Sequence, residues 1–230
     1  MLARGTVVRA AFVPTQAGPL AGDEDRVRIV VGAGATLLVE PVAATVALPG
    51  AAGIVLALDI TVRAGGRLVL DEAPLIVAAG AAVTRRCTVE LHDGAVAALR
   101  ETVVLGRDGE PPGTLDSVLR ATLGGRPLLH DGLRLGGAQD AHVALAPAHR
   151  VLGTVCVLGL RPAESAAFAL AGPGALRRAS GPSLAGVDAA LAATWRAWSQ
   201  AAPAVSGAGA CDRRAAAASG AASGSGAGGS

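Results

Sequence analysis

The sequence predicts a mainly β fold: stacked antiparallel hairpins in a β-helix-like, solenoid arrangement, with a few short helices near the C-terminus. Three observations carry this reading. "IVVGAGATLLVE" (29–40), "ITVRAGGRLVLDE" (60–72) and "VELHDGAVAALRE" (89–101) share one layout, in which apolar alternation meets a glycine (Gly34, Gly65, Gly94), resumes, and ends on an acid. The glycines lie 31 and 29 positions apart, a near-constant period of the kind that marks repeated units stacked on one another. Apolar residues make up 51% of the chain, yet there are two Trp, two Phe and no Tyr, so a core of Val, Leu, Ile and Ala suits closely packed sheets.

Each element follows from local pattern. Residues 1–12 and 26–40 read as strands, separated by the Gly/Pro/Asp loop "PTQAGPLAGDED". Period-two alternation on both sides of a glycine turn is the hairpin signature, because glycine takes positive φ without steric cost. Residues 54–72 and 83–106 supply further strand pairs, and the two prolines of "LGRDGEPPGT" (105–114) make that stretch a loop. "LDSVLRATLGGRPLLHDGLRL" (115–135) alternates around Gly124-Gly125 as another hairpin, and "HVALAPAHRVLGTVCVLGL" (142–160) is strand-rich with a break at Pro147. Helix signals come late, in "PAESAAFALAG" (162–172) and "PSLAGVDAALAATWRAWSQ" (182–200). The second has Ser183 as its cap and Val187, Leu191, Trp195 and Trp198 at helical spacing. Residues 1–200 thus read as a single β-rich domain, and the Ala/Gly/Ser-rich residues 201–230 as a flexible tail with too little apolar surface to bury.

Composition excludes several classes of function. "RIVVGAGATLLVE" (28–40) resembles a dinucleotide-binding loop, but the third glycine of G-x-G-x-x-G is replaced by Leu37 and no helix start follows to hold a phosphate. A net charge near +2 with scattered arginines gives no basic patch for nucleic acid, and few aromatics are present to stack bases. Cys87, Cys156 and Cys211 contain no CxxC and are odd in number, which points to a reducing, cytoplasmic compartment. The N-terminal residues hold no continuous apolar run of the signal-peptide type. "PVAATVALPGAAGIVLAL" (41–58) has nearly the length of a membrane span, but Pro41, Pro49, Gly50 and Gly53 break it into strand, turn, strand.

The chemistry-bearing residues are sparse. His92, His130, His142 and His149 form no helical zinc pair, and no G-x-S-x-G elbow is present. Carboxylates gather at the ends of the repeated units: Asp23, Glu24, Asp25, Glu40, Asp71, Glu72 and Glu101. Two readings stay open for them, solvated strand ends or a recurring functional position. On residues alone the chain is a cytosolic, mostly β, non-enzymatic binding protein, and a protein-binding module of an unrelated pathway is the alternative reading.

Longer segments carry a resemblance. "PLAGDEDRVRIVVGAGATLLVEPVAATVALPG" (19–50) resembles the N-terminal signature of the urease accessory protein UreD (UreH) family, with Ala21-Gly22-Asp23 where that family has Gly-Gly-Asp. "TRRCTVELHDGAVAALRETVVLGRDGE" (84–110) is similar to that family's basic pair, Gly-Ala turn, glutamate and "LGR…GE" segment, and "GRPLLHDGLRL" (125–135) continues it. The resemblance implies a β-rich, non-catalytic scaffold that forms a complex with UreF and the GTPase UreG, docks on apo-urease, and passes nickel toward the urease active site. It implies no tightly bound cofactor, only transient nickel. A path must admit an ion and release it, and imidazole and thiolate hold nickel too firmly for that. Asp23, Asp71, Glu72 and Glu101 are the carboxylates such a path would use, and the apolar stretch 41–58 and the C-terminal helix are the surfaces a partner would cover.

Overall fold

The computed structural model describes residues 7–13, 17–136, 149–163 and 168–204. The strands are β1 (Val7–Ala11), β2 (Glu24–Val31), β3 (Thr36–Glu40), β4 (Thr45–Ala47), β5 (Ile54–Val62), β6 (Arg67–Asp71), β7 (Leu75–Val77), β8 (Ala82–Leu91), β9 (Val96–Leu105), β10 (Thr114–Leu123), β11 (Arg126–Leu135), β12 (Val151–Leu158), β13 (Phe168–Ala169) and β14 (Gly174–Gly181). One helix, α1 (Leu184–Ala204), follows them. A five-stranded sheet runs β11-β10-β8-β5-β2, and a nine-stranded sheet runs β1-β3-β6-β9-β12-β14-β13 with β4 and β7 alongside.

The mainly β, solenoid-like stack is as the sequence predicts, but the three glycine units are not hairpins. Each glycine stands where the chain leaves the five-stranded sheet for the nine-stranded one, so the two limbs of a unit never pair. Each limb instead pairs in parallel with its counterpart one unit on: β2 with β5, β5 with β8, β3 with β6, and β6 with β9. Turn geometry explains the difference. A two-residue hairpin of type I′ needs positive φ at both central residues. Gly124-Gly125 supplies that (φ 56° and 76°), and β10 and β11 form an antiparallel hairpin around it as expected. The corners at 32–35, 63–66 and 92–95 are longer, each closed by a bond from its fourth N–H to its first carbonyl. Corner also stacks on corner, for Gly34 N–H donates to Ala64 O (3.0 Å) and Gly65 N–H to Asp93 O (2.9 Å).

The late elements differ as well. Among the described residues one helix of 21 residues stands in place of a few short ones. Within 162–172, residues 164–167 lie outside the described residues, and Phe168–Ala169 is a strand paired with β14. Those two residues take strand form through their pairing with Leu176 and Ala175. β14 is an element the pattern did not reveal. Ser183 caps α1 as expected, its Oγ accepting from Gly186 N–H at 3.2 Å. The helix passes position 200, and the remainder of the tail, with 1–6, 142–148 and Cys211, lies outside the described residues.

Alternation divides the apolar residues into three groups. Two lie between the sheets, one around Ile60, Leu70, Val89, Leu91 and Leu158, the other around Ile54, Val77, Val83, Leu105 and Leu115. The third lies on the outer face of the nine-stranded sheet, where Val69, Ala98, Val155 and Val157 meet Val187, Leu191 and Trp198 of α1. Gly153 permits that close approach, since a Cβ there would come within 2.6 Å of both Leu191 and Val187. Ala47 and Ile54, from the apolar stretch 41–58, belong to the inter-sheet core rather than to a surface, while Val42 is exposed.

Candidate functional site

The sequence "AVTRRCTVEL" places Val83, Arg85, Cys87, Val89 and Leu91 on one face of β8, and all five are buried. Parity therefore sends Arg86 to the surface and Arg85 into the space between the sheets. A guanidinium there needs compensating acid, because a buried charge without a partner is strongly unfavourable. Two carboxylates supply it. Arg85 Nη2 donates to both oxygens of Glu72 (2.6 and 2.8 Å), and Nη1 donates to Glu101 Oε2. Their side-chain exposures are 9% for Arg85, 28% for Glu72 and 17% for Glu101, so the guanidinium is buried while Glu72 keeps partial access to water.

These residues belong to a row. Leu70 pairs with Leu99 and Asp71 with Arg100, so Glu72 comes level with Glu101, and its N–H donates to Arg100 O at 3.0 Å. Glu101 is in register with Thr154, and Thr154 with Arg178. From Glu72, directly after β6, the row thus runs through Glu101, Thr154 and Arg178 on β9, β12 and β14, about 14 Å at the usual strand spacing. Arg85 meets the row from the opposite sheet, and Arg178 is completed by Thr154 Oγ1 (3.2 Å) and by Asp131 of β11. Along β9 the polar row separates the two inter-sheet apolar groups, with Leu99 on one side and Val103 on the other.

A small cavity of about 10 Å³ opens on this seam, lined by Glu72, Arg85, Cys87, Leu99, Glu101, Leu119, Thr154 and Cys156. That is room for a single water. Burial by itself would lower the Arg85 pKa, but Glu101 and Glu72 hold it above the ordinary arginine value. Burial pushes the Cys87 thiol up to about 12 despite the opposing pull of Arg85, and pushes Cys156 well above the usual thiol range. Both cysteines are therefore neutral thiols near neutral pH.

A family model described as "UreD urease accessory protein" matches residues 3–217. The chain belongs to the UreD urease accessory protein family. Among curated relatives, it is 39% identical to urease accessory protein UreD 1 of Streptomyces griseus over 198 residues, covering 83% of this chain and 77% of that one. It is 40% identical to urease accessory protein UreD of Streptomyces avermitilis over 162 residues, 68% of this chain and 64% of the relative. The corresponding protein of Parafrankia sp. is 38% identical over 208 residues, 75% and 69% of the two chains.

The UreD resemblance singled out four carboxylates, and the fold treats them differently. Glu72 and Glu101 come together on Arg85. Asp71 is the neighbour of Glu72 in sequence but points to the other face of the nine-stranded sheet. There Arg100 lies 3.7 Å from it and also holds Asp188 of α1 at 2.7 Å. Asp23 closes a surface turn, its Oδ2 accepting from Leu20 N–H at 2.7 Å. Among the described residues, no group of three or more His, Cys, Asp or Glu is arranged to hold a metal ion. No helix there is long and apolar enough to cross a membrane.

Burial beneath α1 raises the Asp71 pKa, more than Arg100 and the Trp195 side chain lower it. A carboxyl with a raised folded-state pKa binds its proton better in the folded chain than in the unfolded one. Its stabilising contribution is complete below the unfolded pKa and is lost as pH rises through the folded value. Asp71→Asn is therefore expected to raise the melting temperature at neutral pH, with the gain shrinking as pH falls toward about 4. Melting curves of both proteins across that window measure it; a gain that grows toward acid pH would contradict the assignment.

Sequence reasoning missed Arg85, Thr154, Arg178 and Asp131 as members of the seam. For Arg85 a signal was present, since it occupies an apolar position in the alternation of β8. For Thr154 and Arg178 the signal is weaker, and Asp131 becomes meaningful only once β11 is paired with β10.

Proposed function

We propose that this UreD family member is a non-catalytic scaffold that joins UreF and the GTPase UreG, docks on apo-urease, and assists the delivery of nickel to its active site. It works in the cytoplasm and passes the ion on without retaining it. The observation that carries this reading is the polar seam through an otherwise apolar core. An ion cannot cross a hydrocarbon interior, so a protein that transmits one needs a continuous polar track. At the cavity two carboxylates face one guanidinium, leaving a net negative charge that attracts a cation. The thiols beside them are neutral, so the charge that draws a cation in comes from the carboxylates. This combination favours entry and release over retention.

Single substitutions test it, because removing both acids at once would leave Arg85 unpaired. Glu72→Gln and Glu101→Gln are expected to leave capture of UreF, UreG and apo-urease intact in a pull-down, and to lower nickel loading of urease several-fold. Urease activation equal to the parent chain's in both variants would reject the path. Normal activation in cells lacking the chain altogether would reject the scaffold.

A further inference from the structure

We infer that β1 is a self-association edge: two copies of this chain join there about a twofold axis, β1 antiparallel to β1, so that their nine-stranded sheets run on as one. The inference is independent of the nickel path. It begins from the strands at the ends of the two sheets, which are β1, β13, β2 and β11. An open edge offers unpaired N–H and C=O groups to any strand that reaches it, and charge, proline or short length keeps such strands away. Three of the four edges are guarded in this way. β2 carries Glu24, Asp25, Arg26 and Arg28, β11 carries Arg126, Pro127, Asp131 and Arg134, and β13 is two residues long. β1, "VVRAA", has only Arg9, and that charge is taken up by Glu40 of the neighbouring strand, Nη1 to Oε1 at 2.5 Å.

β1 is bare on its faces as well as its edge. β2 and β3 are the two limbs of one rung, so the five-stranded sheet ends level with β3 and sets no strand against β1. Val7, Val8, Phe12 and Val13 are accordingly 56%, 43%, 52% and 66% exposed. A stack of repeated units ordinarily closes its end with a polar face, and this end is apolar. The order of residues selects what fits it. With a twofold axis at Ala10, Val8 stands opposite Phe12 and Val7 opposite Val13, each pair occurring twice, while Arg9 stands opposite Ala11. Aromatic and β-branched residues paired in this way stabilise antiparallel strands, and each guanidinium has a methyl group across from it rather than a charge. Moving the axis by one residue loses the match. At Arg9 two guanidiniums oppose each other, and at Ala11 Val8 opposes Pro14, which has no N–H to give. The strand is thus complementary to itself in one register, and a pair formed in that register consumes both open edges and closes.

Sedimentation velocity of the purified full chain across micromolar concentrations tests this, and a concentration-dependent dimer is expected. Val8→Lys and Phe12→Lys, each made singly, should weaken the dimer about tenfold or more, because every pair is lost twice across the axis. Both side chains are exposed in the single chain, so both variants should keep the parent's melting temperature. Cysteine cross-linking reads the register, in a Cys211→Ser background that leaves only the buried Cys87 and Cys156. Ala10→Cys should cross-link to its own copy under mild oxidation. Arg9→Cys should not do so alone, being too far from its counterpart to bridge, but should when mixed with an Ala11→Cys chain. A parent chain that stays monomeric, a dimer indifferent to both lysines, or cross-linking through Arg9→Cys alone in place of Ala10→Cys overturns the inference. A monomeric parent whose lysine variants lose capture of UreF or apo-urease would assign the edge to a different protein, and that result also overturns it.

Discussion

Replacing Glu72 and Glu101 together by glutamine is expected to destabilise the chain by about 3–5 kcal/mol, the range for removing the partners of a buried charge. The loss comes from Arg85 more than from the missing ion pairs. Its guanidinium would remain in the inter-sheet space with amides in place of carboxylates, and Leu56, Ser117 and Leu119 offer it no acid. The mechanism has a distinctive consequence: adding Arg85→Met to the double variant should restore most of the loss, because an uncharged seam no longer has a charge to compensate. Each single glutamine should cost far less than half of the double, since one carboxylate still neutralises the arginine. This non-additivity is expected for groups that share a partner. Denaturant titration of the parent, the two singles, the double and the triple measures it. A double variant that loses less than about 1 kcal/mol, or a triple that recovers nothing, would show that the cluster does not behave as a buried charge network.

Trp198→Ala is expected to cost about 3–5 kcal/mol, the range for truncating a large buried aromatic. Trp198 is 2% exposed and sits where α1 packs on Val69, Ala98 and Val157, so its removal empties the contact that holds the helix to the sheet. Its indole nitrogen has no hydrogen-bond partner. Trp198→Phe should therefore cost only about 1–2 kcal/mol, because it gives up volume but no polar contact. Thermal or denaturant unfolding distinguishes the outcomes, and a phenylalanine variant as unstable as the alanine one would mean that the indole N–H is engaged after all.

Much of the fold is legible in the sequence, and the reasons for the rest are local. The alternation of "TVELHDGAVAALRE" fixes two strands and a corner at Gly94, and both are present. The same pattern is silent on whether the second strand returns beside the first or crosses to a facing sheet. Period two records which side is buried, and the two outcomes bury the same side. At Gly124-Gly125 the tight pair of glycines settled the question, and the hairpin is found there. α1 was readable because Ser183 and the helical spacing of Val187, Leu191 and Trp198 agree. β14 was not, because "GALRRASG" is small and basic, and it takes its strand form from pairing with β12. At the site, Glu72 and Glu101 could be singled out by recurrence, whereas their separation from Asp71 required the faces of the sheet to be known.

Parallel rungs carry a kinetic cost. Glu24 meets Val55, and Ile54 meets Val83, so these sheet partners stand 31 and 29 residues apart along the chain. No such pair can begin until a whole further rung has been made and brought back, and the entropy of that closure is spent before any contact repays it. A chain growing from its N-terminus therefore presents each new strand with one edge bare until the next rung arrives. The interval between synthesis of successive rungs, more than the strength of the finished stack, is when this molecule is most exposed to the wrong neighbour.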